Sequence, residues 1–159
     1  MLTVQGKSDP RSFAFSHVFG QQSRQIEVFE TTGAPMVEQV LSGFNASILV
    51  YGQTGAGKTH TMLGDLYSKE MWGLMPRMFE YLVSRIAQEQ RTTATASQYT
   101  VTCSSLEIYN ETITDLLVPS SKNLQSRRGT NSGCTSKVEG LTEVEIESSK
   151  LASRPLNLT

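Results

Sequence analysis

Gly52-Gln53-Thr54-Gly55-Ala56-Gly57-Lys58-Thr59 fits the phosphate-binding loop pattern G-x-x-x-x-G-K-S/T at every position. The run before it, Ala46-Ser47-Ile48-Leu49-Val50-Tyr51, is apolar and rich in β-branched and aromatic residues, which predicts a buried strand. Lys58-Thr59-His60-Thr61-Met62 follows and can open a helix. Strand, glycine loop and helix in this order are what polyphosphate binding requires. Gly52, Gly55 and Gly57 carry no Cβ, so the backbone can turn tightly and come close to anionic oxygens. The loop amides then form a concave set of donors, and the helix start adds free N–H groups. Lys58 is the candidate point charge on the terminal phosphates, and the Thr59 hydroxyl is the candidate magnesium ligand. The plainer alternative is a glycine-rich turn with a solvated lysine, and the strand-like run ahead of the loop argues against it.

Length and composition set the frame for this loop. A chain of 159 residues, 38% hydrophobic and 18% charged, fits one soluble globular domain or part of a larger one. The formal net charge of −1 creates no global field for nucleic acid or an anionic membrane. Cys103 and Cys134 are too few for a disulfide framework or a zinc site, which points to a reducing compartment. The start, Met1-Leu2-Thr3-Val4-Gln5-Gly6-Lys7, has no apolar core of a signal peptide, and no run reaches the length of a membrane span.

Upstream of the loop, Leu2-Thr3-Val4 and Phe13-Ala14-Phe15 read as a small edge hairpin across the turn residues Gly6 to Pro10. Residues 22–44 read as helix: Val37, Val40, Leu41 and Phe44 share one face, and Ile26 and Phe29 form an earlier turn. Gly33 and Pro35 predict a kink or break within it, and Gly43 its end. Downstream, residues 64–73 form a polar connection in which Trp72 packs. Met75, Met78, Phe79, Leu82, Val83 and Ile86 then make an amphipathic stripe opened by Pro76, read as core rather than as a binding groove. Residues 92–97 read as a polar loop. Tyr99, Val101 and Cys103 alternate with threonines as a strand that continues through Leu106 to Glu111, with Cys103 a small core residue. Ile113, Leu116 and Leu117 predict a short helical turn before Pro119. Arg127 to Gly133 reads as an exposed turn and Val138 to Ile146 as a strand, while residues 148–159 match no element.

Taken with its neighbours, the loop says more than nucleotide. Gly43-Phe44-Asn45, then Tyr51 through Met62, closely resembles the kinesin motor domain, as does Leu106-Glu107-Ile108-Tyr109-Asn110-Glu111 followed by Asp115-Leu116-Leu117. Phe13 to Phe19, Gly73 to Arg77 and Gly140-Leu141-Thr142 look like further landmarks in family order. The resemblance covers most of residues 12–148. It implies an α/β P-loop NTPase fold with a central mixed sheet flanked by helices, and an ATP-hydrolysing motor that moves along microtubules in the cytoplasm as part of the cytoskeleton. By the match, residues 53–59 wrap the phosphates of Mg-ATP, Thr59 also holds magnesium, and His60 packs against the adenine. On the residues alone, His60 would be an ordinary polar residue in a first helical turn.

The sequence also departs from the family. It lacks the Arg-x-Arg-Pro segment that borders the adenine. Neither the Asn-x-x-Ser-Ser-Arg-Ser-His switch nor the Asp-Leu-Ala-Gly-Ser-Glu switch is found. Ser105 replaces a bulky apolar residue, and two extra residues lie between Gly133 and Gly140. Residues 1–148 therefore read as an incomplete motor domain, and 149–159 as an aberrant or disordered end. The groups that position water and sense the γ-phosphate belong to the switches, so no catalytic residue is assigned and no hydrolysis is expected of this chain alone. Most of the family's microtubule-contacting surface is missing too. The alternative is a non-catalytic kinesin-derived fragment or interaction module. A different P-loop enzyme, such as a small nucleotide kinase, would need an acceptor site and a basic lid that the sequence does not show.

Overall fold

The structure, a computed structural model, describes residues 2–4, 11–92, 99–128 and 136–146. The chain divides into two units, Met1–Gln88 and Glu89–Thr159. The boundary expected at 148/149, the polar loop after residue 92 and Cys134 lie outside the described residues.

In the first unit, β1 (Leu2–Val4) and β2 (Arg11–Phe13) form an antiparallel hairpin, with Leu2 opposite Phe13 and Val4 opposite Arg11; the second strand ends at Phe13, where the sequence predicts it to begin. The helical stretch begins at α1 (Gln25–Val28), where Glu27 accepts hydrogen bonds from the backbone N–H and the guanidinium of Arg24. It passes through a π-helical segment, Phe29–Gly33, into α2 (Ala34–Leu41). The expected kink is this π segment. Pro35 has no N–H to give to the preceding turn, and Ala34 N–H bonds back to the Phe29 carbonyl, so one wider turn absorbs the mismatch. Gly33 is required here: a Cβ would lie 2.8 Å from the Phe29 ring and 3.1 Å from Met78 Cγ. Gly43, at φ +92, ends the helix as expected, its N–H bonding the Val40 carbonyl.

The apolar stripe downstream forms α4 (Leu74–Thr92). Leu74 joins Phe29 and Val37 as the buried hydrophobic residues among those described, and the Phe29 and Tyr81 rings meet edge to face at 5.8 Å. The six residues of the predicted stripe are half-buried rather than buried. Arg85 clamps Glu38 through both carboxylate oxygens, at 2.7 and 3.0 Å, and the Tyr81 hydroxyl donates to the same carboxylate at 2.6 Å. The Arg85 and Tyr81 hydrogen bonds hold the Glu38 carboxyl below its usual range. This tie joins α2 to α4 by side chains that the apolar pattern does not mark.

Residues 46–51 differ from expectation. Their composition predicts a buried strand, yet among the described residues they pair with no other strand. Phe44, Leu49 and Tyr51 are 67%, 83% and 81% exposed. Strand propensity measures fit to a pleated surface made by neighbours, and the described strands take their partners elsewhere. Among the described residues, every sheet is two-stranded and antiparallel. The mixed sheet is therefore represented here by separate pairs, within an α/β succession of elements.

In the second unit, β3 (Thr102–Cys103) pairs with β8 (Val144–Glu145), and Cys103 is half-buried. β4 (Leu106–Tyr109) and β5 (Thr112–Asp115) form a hairpin. Its turn residues Asn110 and Glu111 sit at φ 47 and 61, the pattern of a type I′ turn. The long strand and the helical turn expected around Ile113 are thus replaced by a hairpin, with Ile113 opposite Ile108. Arg127 and Arg128, expected in a turn, belong to β6 (Gln125–Arg128), which pairs with β7 (Ser136–Glu139). The strand expected over 138–146 breaks at Gly140, φ +76, so β7 and β8 have different partners. Asp115 is fully buried. Its carboxylate accepts the amides of Leu117 at 2.8 Å, Val118 at 3.2 Å and Thr142 at 2.8 Å, tying the end of β5 to the segment before β8.

Candidate nucleotide-binding site

The glycine loop leads into α3 (Lys58–Met62), which starts where the motif predicts. Gly55 and Gly57 lie at φ +81 and +85, in the left-handed region that a side chain disfavours. A Cβ on either would meet nothing within 4 Å, so the backbone there is open to close approach. The Ala56 N–H bonds the Gln53 carbonyl at 3.1 Å and closes the turn, with Gln53, Thr54 and Gly55 exposed on its crest. Lys58 Nζ folds back over this turn and donates to the carbonyls of Gly52 and Gln53, both at 2.8 Å. Its charge is thereby centred on the loop. Thr59 and His60 follow on the first turn of α3, both exposed, and the Thr59 hydroxyl has no partner among the described residues.

These features fit a magnesium–polyphosphate ligand. The glycine backbone leaves room for anionic oxygens, the Lys58 ammonium lies on the same turn, and the Thr59 hydroxyl sits one residue on. No cluster of three or more His, Cys, Asp or Glu side chains able to hold a metal exists among the described residues.

α3 is held in place by parts that the motif does not contain. Gly64 forms an antiparallel bridge with Trp72, flanked by Gly73 N–H to the Leu63 carbonyl at 2.8 Å and Asp65 N–H to the Met71 carbonyl at 3.0 Å. The loop so closed is latched by Arg77, which donates to the carbonyls of Trp72, Lys69 and Glu70 at 2.8–3.0 Å. Trp72 packs as expected and also donates to the Leu66 carbonyl, with Lys69 Nζ 5.4 Å above its ring. The side chain of Gln25 reaches across from α1 and donates to the His60 carbonyl at 2.7 Å. His60 lines a cavity of about 840 Å³ together with Arg24, Gln25, Lys69, Glu70 and Arg77. Gln25 was not found from the sequence. It lies 35 residues from His60, and no periodicity marks it.

The sequence profile described as the kinesin motor domain matches residues 2–159. The chain belongs to the kinesin motor domain family. Kinesin-like protein KIN-12D of Arabidopsis thaliana is 49% identical over 142 residues, 86% of this chain and 5% of that protein. Kinesin-like protein KIN-12B of the same plant is 45% identical over 154 residues, 92% of this chain and 12% of that protein. Kinesin-like protein KIN-12E of Oryza sativa subsp. japonica is 47% identical over 145 residues, 87% of this chain and 8% of that protein. The chain thus spans a small part of the relatives it matches. A solved fast kinesin superposes with a TM-score of 0.83 at 35% identity, over 94% of this chain and 41% of that one. The fold is accordingly the α/β P-loop NTPase fold of kinesin.

Proposed function

We propose that residues 52–60 bind Mg-ATP and that the chain is the nucleotide-binding part of a microtubule motor acting in the cytoplasm on the cytoskeleton. The observation that carries the reading is the placement of Lys58 Nζ over a loop turned by left-handed glycines, one residue before the Thr59 hydroxyl. In this reading the loop amides from Gln53 to Thr59 donate to the phosphate oxygens and Lys58 neutralises the terminal ones. Thr59 fixes magnesium and His60 flanks the base. Bound magnesium supplies charge neutralisation across the terminal phosphates.

Family membership supports microtubules as the partner. No nucleic acid is implied, and no helix among the described residues is long and apolar enough to cross a membrane. Within residues 1–159 the reading assigns nucleotide binding to the loop and no role in hydrolysis to any residue. The test is a titration of ATP with and without magnesium: Thr59→Val should abolish the gain that magnesium brings, and a retained gain refutes the assignment.

A second reading, a non-catalytic kinesin-derived interaction module, is favoured by the exposed apolar side chains of Leu49 and Tyr51. Microtubule-stimulated phosphate release by this chain would exclude it.

A further inference from the structure

We infer that Gln25 is a positioning residue for the nucleotide loop, acting through the His60 carbonyl; this rests on the reading of residues 52–60 given above. Gln25 and Asp115 are the buried polar residues among those described, and Gln25 is 8% exposed. A buried amide must be hydrogen-bonded, and this one spends its Nε2–H on a carbonyl of α3.

The need for that donor follows from how α3 ends. In a regular helix the His60 carbonyl would take the N–H of Gly64. Gly64 is turned to φ +68, and its N–H goes instead to the Thr59 carbonyl, which already accepts from Leu63. Gly57 receives Thr61 N–H, and Leu63 receives Gly73 N–H. The His60 carbonyl is thus one of the orphan carbonyls of this terminus, and Gln25 satisfies it from outside the helix.

α3 has five residues. A helix this short cannot sustain itself, so its position is set by what it is tied to. One tie is the backbone approach of Gly73, where a Cβ would stand 2.6 Å from the carbonyls of Thr61 and Met62. The other is Gln25. Lys58 and Thr59 begin the same single turn, so the Gln25 hydrogen bond fixes where they stand relative to the carbonyls of Gly52 and Gln53.

The test compares wild type with Gln25→Met, which keeps length and lacks the donor, and Gln25→Asn, which keeps the donor and falls short of the carbonyl. Hydrogen–deuterium exchange of the amides of residues 61–64 should rise about fivefold in both, the equivalent of one lost hydrogen bond. Exchange in α4 should stay unchanged. Mg-ATP affinity should fall by a similar factor. Unchanged exchange at 61–64, or faster exchange with unchanged affinity, overturns the inference. Lys58→Ala tests the underlying reading separately. If neither it nor the wild type binds nucleotide, that reading falls, and the exchange measurement still decides whether Gln25 holds α3.

Discussion

Alanine at Gly64 is the sharpest test of how the nucleotide loop is anchored. Its Cβ would stand 1.9 Å from the Met71 carbonyl oxygen, 2.5 Å from Gly73 N and 2.9 Å from Trp72 C. All three are backbone atoms, so no side-chain rotation relieves the clash, and relief requires the two arms of the bridge to part by more than 1 Å, on the order of a third of a normal contact distance. The left-handed φ of +68 adds to this. The left-handed conformation costs about 1–2 kcal/mol and overpacking about 1–3 kcal/mol, or about 2–5 kcal/mol together. The bridge lost is the one that ties α3 to the start of α4, so nucleotide affinity should fall with stability.

The assay is urea unfolding followed by Trp72 fluorescence, since Trp72 is the single tryptophan and sits in the bridge. With a slope of about 2 kcal/mol per molar, the midpoint should drop by about 1–2.5 M. Gly20→Ala, whose Cβ meets nothing within 4 Å, should leave it unchanged. A Gly64→Ala midpoint equal to that of Gly20→Ala would refute the bridge and the anchoring argument with it.

Leu74→Ala removes a buried side chain that is 4% exposed, and should cost about 2–5 kcal/mol in the same assay. Asp115 should shape the acid limb of stability. Its carboxyl is held below the usual carboxylate range by the side chain and amide of Thr142, then by the amides of Leu117 and Val118, against the opposing effect of burial. A lowered native pKa gives stability that is fully present above the ordinary value of about 3.9 and is lost as pH falls through the lower native value. Asp115→Asn should therefore lower stability at neutral pH and flatten that acid fall, as read by midpoints across pH; an unaltered acid limb would contradict the network.

The parts legible in the sequence are those set by local physics. Gly55, Gly57 and Lys58 announce the loop because its chemistry is encoded in consecutive residues. Gly33 and Pro35 announce the π segment, and the spacing from Met75 to Ile86 announces α4. Pairing was less legible. The turn at Asn110–Glu111 was hidden because neither residue is glycine, although both adopt the left-handed conformation. Arg127 and Arg128 suggested a solvated tip because charged residues also suit an exposed strand edge. Residues 46–51 have strand composition without strand neighbours among those described. Gln25 and the Asp115–Thr142 tie act across 35 and 27 residues. No local pattern reports a hydrogen bond formed by chain reversal.

We propose that Lys58, centred over the Gly52–Thr59 turn, makes this chain a nucleotide binder. The direct measurement is equilibrium titration of a fluorescent ATP analogue, with magnesium, into the purified chain and into Lys58→Ala. Saturable binding by the wild type and its loss in the variant are expected, with both showing the same unfolding midpoint. Equal binding by the two proteins, or no binding by a folded wild type, would contradict it.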